Sequence, residues 1–302
     1  MKRSLIPVLI LLALAFNSQI CSGAKKVHGS GNVVTEERQV KDFAGVELAT
    51  IGKLYIQIGT VEKLEIEAED NILPYLETEV DKGSLVIKVQ KRVDLRPKEP
   101  IRYYLTVKKL ERIVLSSAGD VEAPDINSER FTIISSSAGD LEMGDLETGF
   151  LKIRMSSAGD VSIGDVKARD IEVSISSAGD LSMEEVEVTS LEVQMSSAGD
   201  CRIERLKAES LDLSNSSAGT MIIREGQVKE QDISLSSAGD YQAKNLKSLE
   251  ATVRLSSVGS ATINVKDRLS VTVSSLGSVY YIGSPEIDYR ITSRGKIKRI
   301  GD

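Results

Sequence analysis

The chain has 302 residues, with 45 acidic and 38 basic side chains and a formal charge of −7. This acidic balance disfavours nucleic acids and anionic membrane surfaces as partners, because both attract basic patches. With one histidine and two cysteines, the sequence cannot supply the residue clusters that build zinc sites or disulfide frameworks.

The N-terminal segment has the layout of a secretory signal peptide. Lys2 and Arg3 precede an apolar run at 5–16, and the small residues Ser22 and Ala24 predict cleavage after Ala24. The run is too short to span a bilayer, which takes about 20 apolar residues. Removal of residues 1–24 leaves 36 basic and 45 acidic residues, a charge of −9.

We therefore expect an exported protein that resides in the periplasm, in the outer envelope or outside the cell, with no membrane-spanning segment after cleavage. A lipid anchor on Cys21 is an alternative. It is disfavoured because Ile20 stands where a lipobox has a small residue.

Residues 25–41 are predicted to be a flexible N-terminus, and residues 42–115 an irregular first part of the folded domain. This part contains alternating apolar residues, which are typical of strands with one buried face. The alternating segments are 46–48, 54–58, 64–68, 85–89 and 101–107. We expect degenerate coils that cap the regular part, because terminal units of a repeat array are atypical.

Residues 116–302 are dominated by the motif Ser-Ser-Ala-Gly-Asp, which recurs every 20 residues. The intact copies begin at Ser116, Ser136, Ser156, Ser176, Ser196 and Ser236. Within each repeat, counted from the first Ser, positions six and eight are apolar, and so are sixteen, eighteen and twenty. This spacing of two predicts short strands, and a fixed period predicts stacked units. The sequence therefore predicts an all-β, right-handed parallel β-helix, a solenoid of coils of about 20 residues.

The motif glycines are predicted to be structural turn residues, because glycine adopts left-handed dihedral angles at little cost. They are Gly119, Gly139, Gly159, Gly179, Gly199, Gly219, Gly239 and Gly259. Cys201 occupies a position that Val and Leu fill in other repeats, so we expect a small core residue.

The motif aspartates would form a column with neighbours about 4.8 Å apart. They are Asp120, Asp140, Asp160, Asp180, Asp200 and Asp240. One interpretation is that each carboxylate accepts hydrogen bonds from turn N–H groups and Ser hydroxyls. The other is a column of Ca²⁺ ions, which favour several oxygen ligands. Thr220 and Ser260 interrupt the series, which favours the first interpretation; no other cofactor is predicted.

No catalytic residues are predicted. A Ser-His-Asp apparatus needs a histidine, and His28 lies in the N-terminal segment expected to be flexible. The arginines that could serve a polysaccharide-cleaving site are scattered. They are Arg154, Arg169, Arg202, Arg205 and Arg254. The sequence also has no Trp for a sugar platform.

The motifs resemble a bacterial family described as "putative auto-transporter adhesin, head GIN domain". The resemblance rests on 42–48 (DFAGVEL), 70–77 (DNILPYLE), the repeated motif and 279–285 (VYYIGSP), and it covers about 40–302. It implies an exported protein with a fold similar to pectin-lyase-like β-helices. The family turn usually reads Ser-Gly-Ser-Gly-Asp, whereas here the second residue is Ser. No binding or catalytic residues are established for the family, so none are transferred.

Two functions follow as predictions. The first is a non-enzymatic, adhesin-like module that presents repetitive polar faces to a protein or glycan at the cell surface. The second is a structural envelope spacer that associates end to end. A carbohydrate-active enzyme is a third, less favoured alternative, because the sequence offers no histidine among the repeats, no cluster of arginines and no Trp.

Overall fold

The structure, a computed structural model, describes residues 24–301, so Cys21 and residues 1–23 of the predicted signal peptide lie outside it. A 3₁₀ turn covers Leu73–Tyr75. The strands are β1 Lys25–His28, β2 Val33–Arg38, β3 Gly45–Ala49, β4 Lys53–Ile58, β5 Lys63–Glu69, β6 Leu76–Asp81, β7 Ser84–Val89, β8 Val93–Arg96, β9 Arg102–Val107, β10 Arg112–Leu115, β11 Asp120–Ala123, β12 Ile126–Ser135, β13 Leu141–Met143, β14 Leu146–Met155, β15 Val161–Ile163, β16 Val166–Ile175, β17 Leu181–Met195, β18 Cys201–Asn215, β19 Thr220–Leu235, β20 Asp240–Leu255, β21 Ser260–Val273, β22 Ser278–Ile282, β23 Glu286–Ile291 and β24 Lys296–Gly301.

The strands stack in parallel into a β-solenoid of about ten turns. Residues 20 apart lie side by side, as Leu151 does with Ile171 and Leu191 with Leu211. From β17 to β20 the strands of one repeat run together into single strands of 15 or 16 residues. The predicted all-β solenoid with coils of about 20 residues is confirmed.

The core is a column of apolar side chains from the predicted inward positions. Residues such as Val161, Ile203 and Leu213 are at most 1% exposed. Full burial of one such side chain contributes roughly 1.5–3 kcal/mol. Cys201 is also fully buried, and this burial raises the pKa of its thiol to about 12, which fits a core residue.

At the N-terminal end, two coils precede the regular array and antiparallel strands cover them. Strand β10 lies on β3 and β3 on β7, while β11 lies on β4 and β4 on β9. The antiparallel strands β6, β5 and β2 then pair with β7, β9 and β5 respectively. The change from parallel to antiparallel pairing closes this end of the column.

The expectation of a flexible segment at 25–41 is wrong for most of its length, because β1 and β2 lie within it. Strand β1 pairs in parallel with β8, and Val27 is 8% exposed. Between the two strands, the Gly31 N–H donates to the buried Glu69 carboxylate at 2.6 Å. The contacts that order this segment come from residues about 40 and 70 positions away, which local composition does not reveal. No helix within 24–301 has the length and apolarity to cross a membrane.

Candidate functional site

The motif aspartates lie along one edge of the column and join successive coils. In each case one carboxylate oxygen accepts a hydrogen bond from the backbone N–H of the equivalent residue in the next coil. For Asp140 to Asp160 and for Asp160 to Asp180 the N···O distance is 2.9 Å, and for Asp180 to Asp200 it is 2.8 Å. The hydrogen-bonding interpretation holds for the N–H donors, which come from the neighbouring coil.

The interruptions of the aspartate series fit this arrangement. The acceptor is a side chain but the donor is a backbone N–H, so any residue except proline can occupy the donating position. Thr220 donates its N–H to Asp200 at 2.8 Å. Ser260 donates both its N–H and its hydroxyl to Asp240, at 3.0 and 2.7 Å.

The motif serines, in contrast, do not supply the aspartates as expected. The hydroxyls of Ser136 and Ser176 donate to the carbonyl oxygens of Leu115 and Met155, both at 3.2 Å. Ser260, outside the intact motifs, is the case in which a hydroxyl bonds to an aspartate of the column. The serine hydroxyls therefore serve mainly as links between backbones.

A second aspartate ladder, not predicted from the sequence, lies at position ten of the repeat. Asp125 accepts from the N–H of Asp145, and Asp145 from that of Asp165, both at 2.9 Å. A Cβ on Gly144 would lie 2.2 Å from the Asp125 carboxylate, so glycine leaves room for it. The repeated Gly-Asp at 144–145 and 164–165 was the available signal.

Calcium at the aspartate column stays a prediction. Each carboxylate already uses one oxygen on a backbone N–H. Within 24–301 no group of three or more His, Cys, Asp or Glu side chains is arranged to hold a metal ion.

The motif glycines are required for a reason other than the one expected. Positive φ angles occur at Gly52 and Gly226, for example, but at none of the eight predicted turn glycines. Instead, a Cβ on Gly179 would lie 2.2 Å from the carbonyl oxygen of Gly159. The corner backbones of adjacent coils approach too closely for any side chain, and this close approach is the constraint.

The scattered arginines lie on outer faces, two of them in ion pairs between coils. Arg205 contacts Glu185 at 2.8 Å and Glu225 at 3.0 Å. Arg254 pairs with Asp232. His28 is exposed on β1, far in sequence from the repeats. The structure does not bring these residues together.

A long groove of about 1010 Å³ follows the column from β16 to the turn after β22, and we call it the basic groove. Its floor consists of small residues at position thirteen of five successive coils, and of Val265 in the next coil, which pairs with the fifth of them. The five are Ala168, Val188, Ala208, Val228 and Ser248. Positions twelve and fourteen form its two rims. Beside the floor, Thr189 and Ser190 both face outward, which breaks the alternation and marks a bend in the wall.

The rims carry more positive than negative charge. Five lysines and two glutamates give the lining a formal charge of +3, although the whole chain carries −7. The glutamates are paired, Glu187 with Lys207 at 2.6 Å and Glu209 with Lys229 at 2.5 Å. The hydrogen bond from Lys207 lowers the pKa of Glu187, so this pair stays ionised at neutral pH. The positive surplus therefore comes from the remaining lysines, Lys167, Lys247 and Lys266.

These features define a β-solenoid protein with interlocked corners and one elongated, positively charged groove. Two structures from Parabacteroides share the fold. They are a "putative adhesin" from P. merdae (17% identity, TM-score 0.50, covering 92% of this chain and all of the other) and a "putative adhesin" from P. distasonis (19%, 0.54, 91% and all). A "putative lipid binding protein" from P. distasonis is also similar (18%, 0.49, 91% and all).

The sequence profile of the family "Putative auto-transporter adhesin, head GIN domain" matches residues 42–203 and again 164–285. The chain belongs to this family, as its motifs indicated. No curated protein sequence is significantly similar to it.

Proposed function

We propose that this protein is an exported, non-enzymatic binding module of the cell envelope or cell surface. The observation that carries the proposal is the regular exposure of polar side chains on every coil, held in register by backbone and aspartate ladders. A rigid array of equivalent positions suits recognition of an extended or repetitive partner, a protein or a glycan at the cell surface. Membership of a family described as adhesins supports the same function.

We propose no catalytic activity, because the polar side chains that could take part in a reaction are already engaged in structural contacts. The serines bond to carbonyl oxygens, the motif aspartates hold N–H groups, and Arg205 is neutralised by two glutamates. None of these groups is poised as a nucleophile with an adjacent base.

The experiment is localisation of the tagged native protein, followed by recovery of what it retains from cells, matrix proteins and glycan panels. We expect the tag outside the cytoplasm and retention of at least one partner class. Cytoplasmic retention of the mature protein, or no retention across all panels, would contradict the proposal.

Self-association into a spacer is the second candidate function. It would require strand edges that can pair with another copy, and β2 is such an edge strand. Within 24–301, β2 pairs along one side, with β5. It exposes Val33 and Val34 but also carries Glu36 and Glu37, and charged side chains on an edge oppose uncontrolled strand addition. Sedimentation that shifts to larger species with concentration would favour the spacer over the binding module.

A further inference from the structure

The basic groove has the dimensions of a site for a linear polymer. Its floor crosses six coils from Ala168 to Val265. At about 4.8 Å per coil, this is roughly 24 Å of continuous surface. The floor residues are small and mostly buried, so they leave space without offering deep pockets for individual side chains.

The charge of the groove selects an anionic ligand. Within the described residues, Lys247 forms no ion pair with a carboxylate. Lys167 forms none either, although Glu147 and Glu187 stand beside it in the adjacent coils. Lys266 makes only a long ion pair of 4.0 Å with its neighbour Asp267. These ammonium groups stand at both ends of the groove, while the paired Lys207 and Lys229 lie between them. An anion in the groove would gain from these charges against an otherwise acidic surface.

The polar rim residues other than the lysines indicate which class of anionic polymer would fit the groove. The rims mix donors with acceptors, in Thr189, Gln227, Asn264, Glu187 and Glu209. Such a mixture suits hydroxyl groups, which both donate and accept. A polyphosphate chain carries no hydroxyl groups to donate to the rim acceptors, whereas a polysaccharide does. The groove floor has its backbone paired between coils, so it offers no sheet edge to which a peptide strand could add.

We propose that the basic groove binds a linear polysaccharide that carries carboxylate groups. Lys167, Lys247 and Lys266 contact the carboxylates, and the amides, hydroxyls and glutamates of the rims contact the sugar hydroxyls. None of the described lining residues is aromatic, so ring stacking contributes little and a neutral polysaccharide binds much more weakly. This inference rests on the proposed binding function and assigns it a site and a ligand class.

The test measures the affinity of the mature protein for an oligomannuronate long enough to span the groove, with a neutral mannan oligosaccharide and poly-glutamate as comparisons. The variant K247Q/K266Q removes two groove charges. The control K244Q/K298Q removes two exposed lysine charges outside the groove. Melting temperatures establish that both variants remain folded.

We expect oligomannuronate to bind with an affinity that falls as salt is raised. K247Q/K266Q should weaken it about tenfold, since two lost contacts near 1 kcal/mol each amount to at least that factor. K244Q/K298Q should stay within about twofold, as for charges remote from a ligand.

Absence of oligomannuronate binding, equal losses in both variants, or poly-glutamate binding as tight as that of oligomannuronate would each overturn the inference. If the native protein retains some other partner and K247Q/K266Q retains it equally well, the groove assignment fails while the binding function stands. If the native protein retains nothing at all, the binding function itself fails.

Discussion

At the scale of single residues, the distance between coils decides which side chains a corner tolerates. The motif glycine of one coil lies against the carbonyl oxygen of the glycine below, and for Gly139 an added Cβ would lie 2.0 Å from Gly119. The aspartate that follows points along the column and bonds to the next coil. The glycine allows the two backbones to approach, and the aspartate that follows can therefore reach the N–H of the next coil.

Gly179→Ala should therefore lower the free energy of unfolding by about 3 kcal/mol, because the new methyl group meets a backbone carbonyl that cannot move alone. Gly301→Ala is the control, since its Cβ would meet the side chain of Ile282 at an ordinary 3.5 Å. It should cost less than about 0.5 kcal/mol. Thermal melting of both variants checks this, and equal shifts would show that close approach is not the constraint.

Asp160→Ala should cost about 1 kcal/mol, because the Asp180 N–H loses its acceptor. Asp160→Asn keeps a side-chain carbonyl oxygen and should cost less. Denaturation of the two variants beside the native protein measures the difference. An Asn variant as damaged as the Ala variant would mean that the negative charge, and not the hydrogen bond, matters.

The same aspartates test the calcium prediction. We expect the melting temperature to respond little to a chelator, because backbone N–H groups already satisfy part of each carboxylate. A rise of many degrees on addition of Ca²⁺ that disappears in Asp160→Asn would instead establish a calcium column.

At the scale of elements, parallel in-register pairing places each outward residue beside its copies, so charge patterns along a column add up. Glu187 lies between Lys167 and Lys207, an alternation that places opposite charges side by side. In another column, Glu192, Asp212 and Asp232 follow one another on β17, β18 and β19. Desolvation by surrounding atoms, and then the charges of Asp232 and Glu192, raise the pKa of Asp212.

Asp212→Asn should therefore stabilise the protein at neutral pH. A pKa raised in the folded state means that folding disfavours the charged carboxylate, so stability falls as pH rises from the unfolded pKa through the folded one. The gain should be a few tenths of a kcal/mol, since solvent reaches this side chain, and it should vanish well below pH 4. Denaturation at pH 7 and pH 3 measures it, with Asp288→Asn, next to Ser270 in the same column, as the control. A gain that persists at pH 3 would contradict the electrostatic cause.

At the scale of the whole molecule, each coil contacts chiefly the coils above and below it, so stability is shared along the column. Inward residues of β17 and β18 such as Leu191 and Leu213 are at most 1% exposed, whereas β24 is largely exposed. The antiparallel strands β2, β5 and β6 cover the N-terminal end of the column.

Backbone hydrogen exchange should accordingly be slowest from β16 to β20 and faster in β23 and β24, because end coils open at lower free energy than interior ones. Exchange followed by mass spectrometry of peptides across 166–255 and 286–301 measures both regions. Uniform protection along the chain would indicate a single cooperative unit.

Most of the fold could be predicted from the 20-residue period and from the spacing of two between apolar residues. A repeat whose inward positions recur every 20 residues can bury them only by stacking on its neighbours. The inward position of Cys201 followed from the same reasoning. The order of 25–41 could not be predicted, since Gly31 and Val27 depend on contacts with distant residues such as Glu69. The second aspartate ladder, Asp125 to Asp165, was within reach of the repeat but shows only in three coils.

By itself, the sequence determined the β-solenoid, its 20-residue coil and the residues of its core, because those properties are local and repeated. The tertiary structure alone decided what the motif is for: it placed each aspartate on the N–H of the next coil and each glycine against a neighbouring carbonyl. It also gathered Lys167, Lys247 and Lys266 into one groove. Those contacts depend on where the wall of a coil bends and how closely adjacent coils approach. Both are determined by interactions between residues far apart in the sequence.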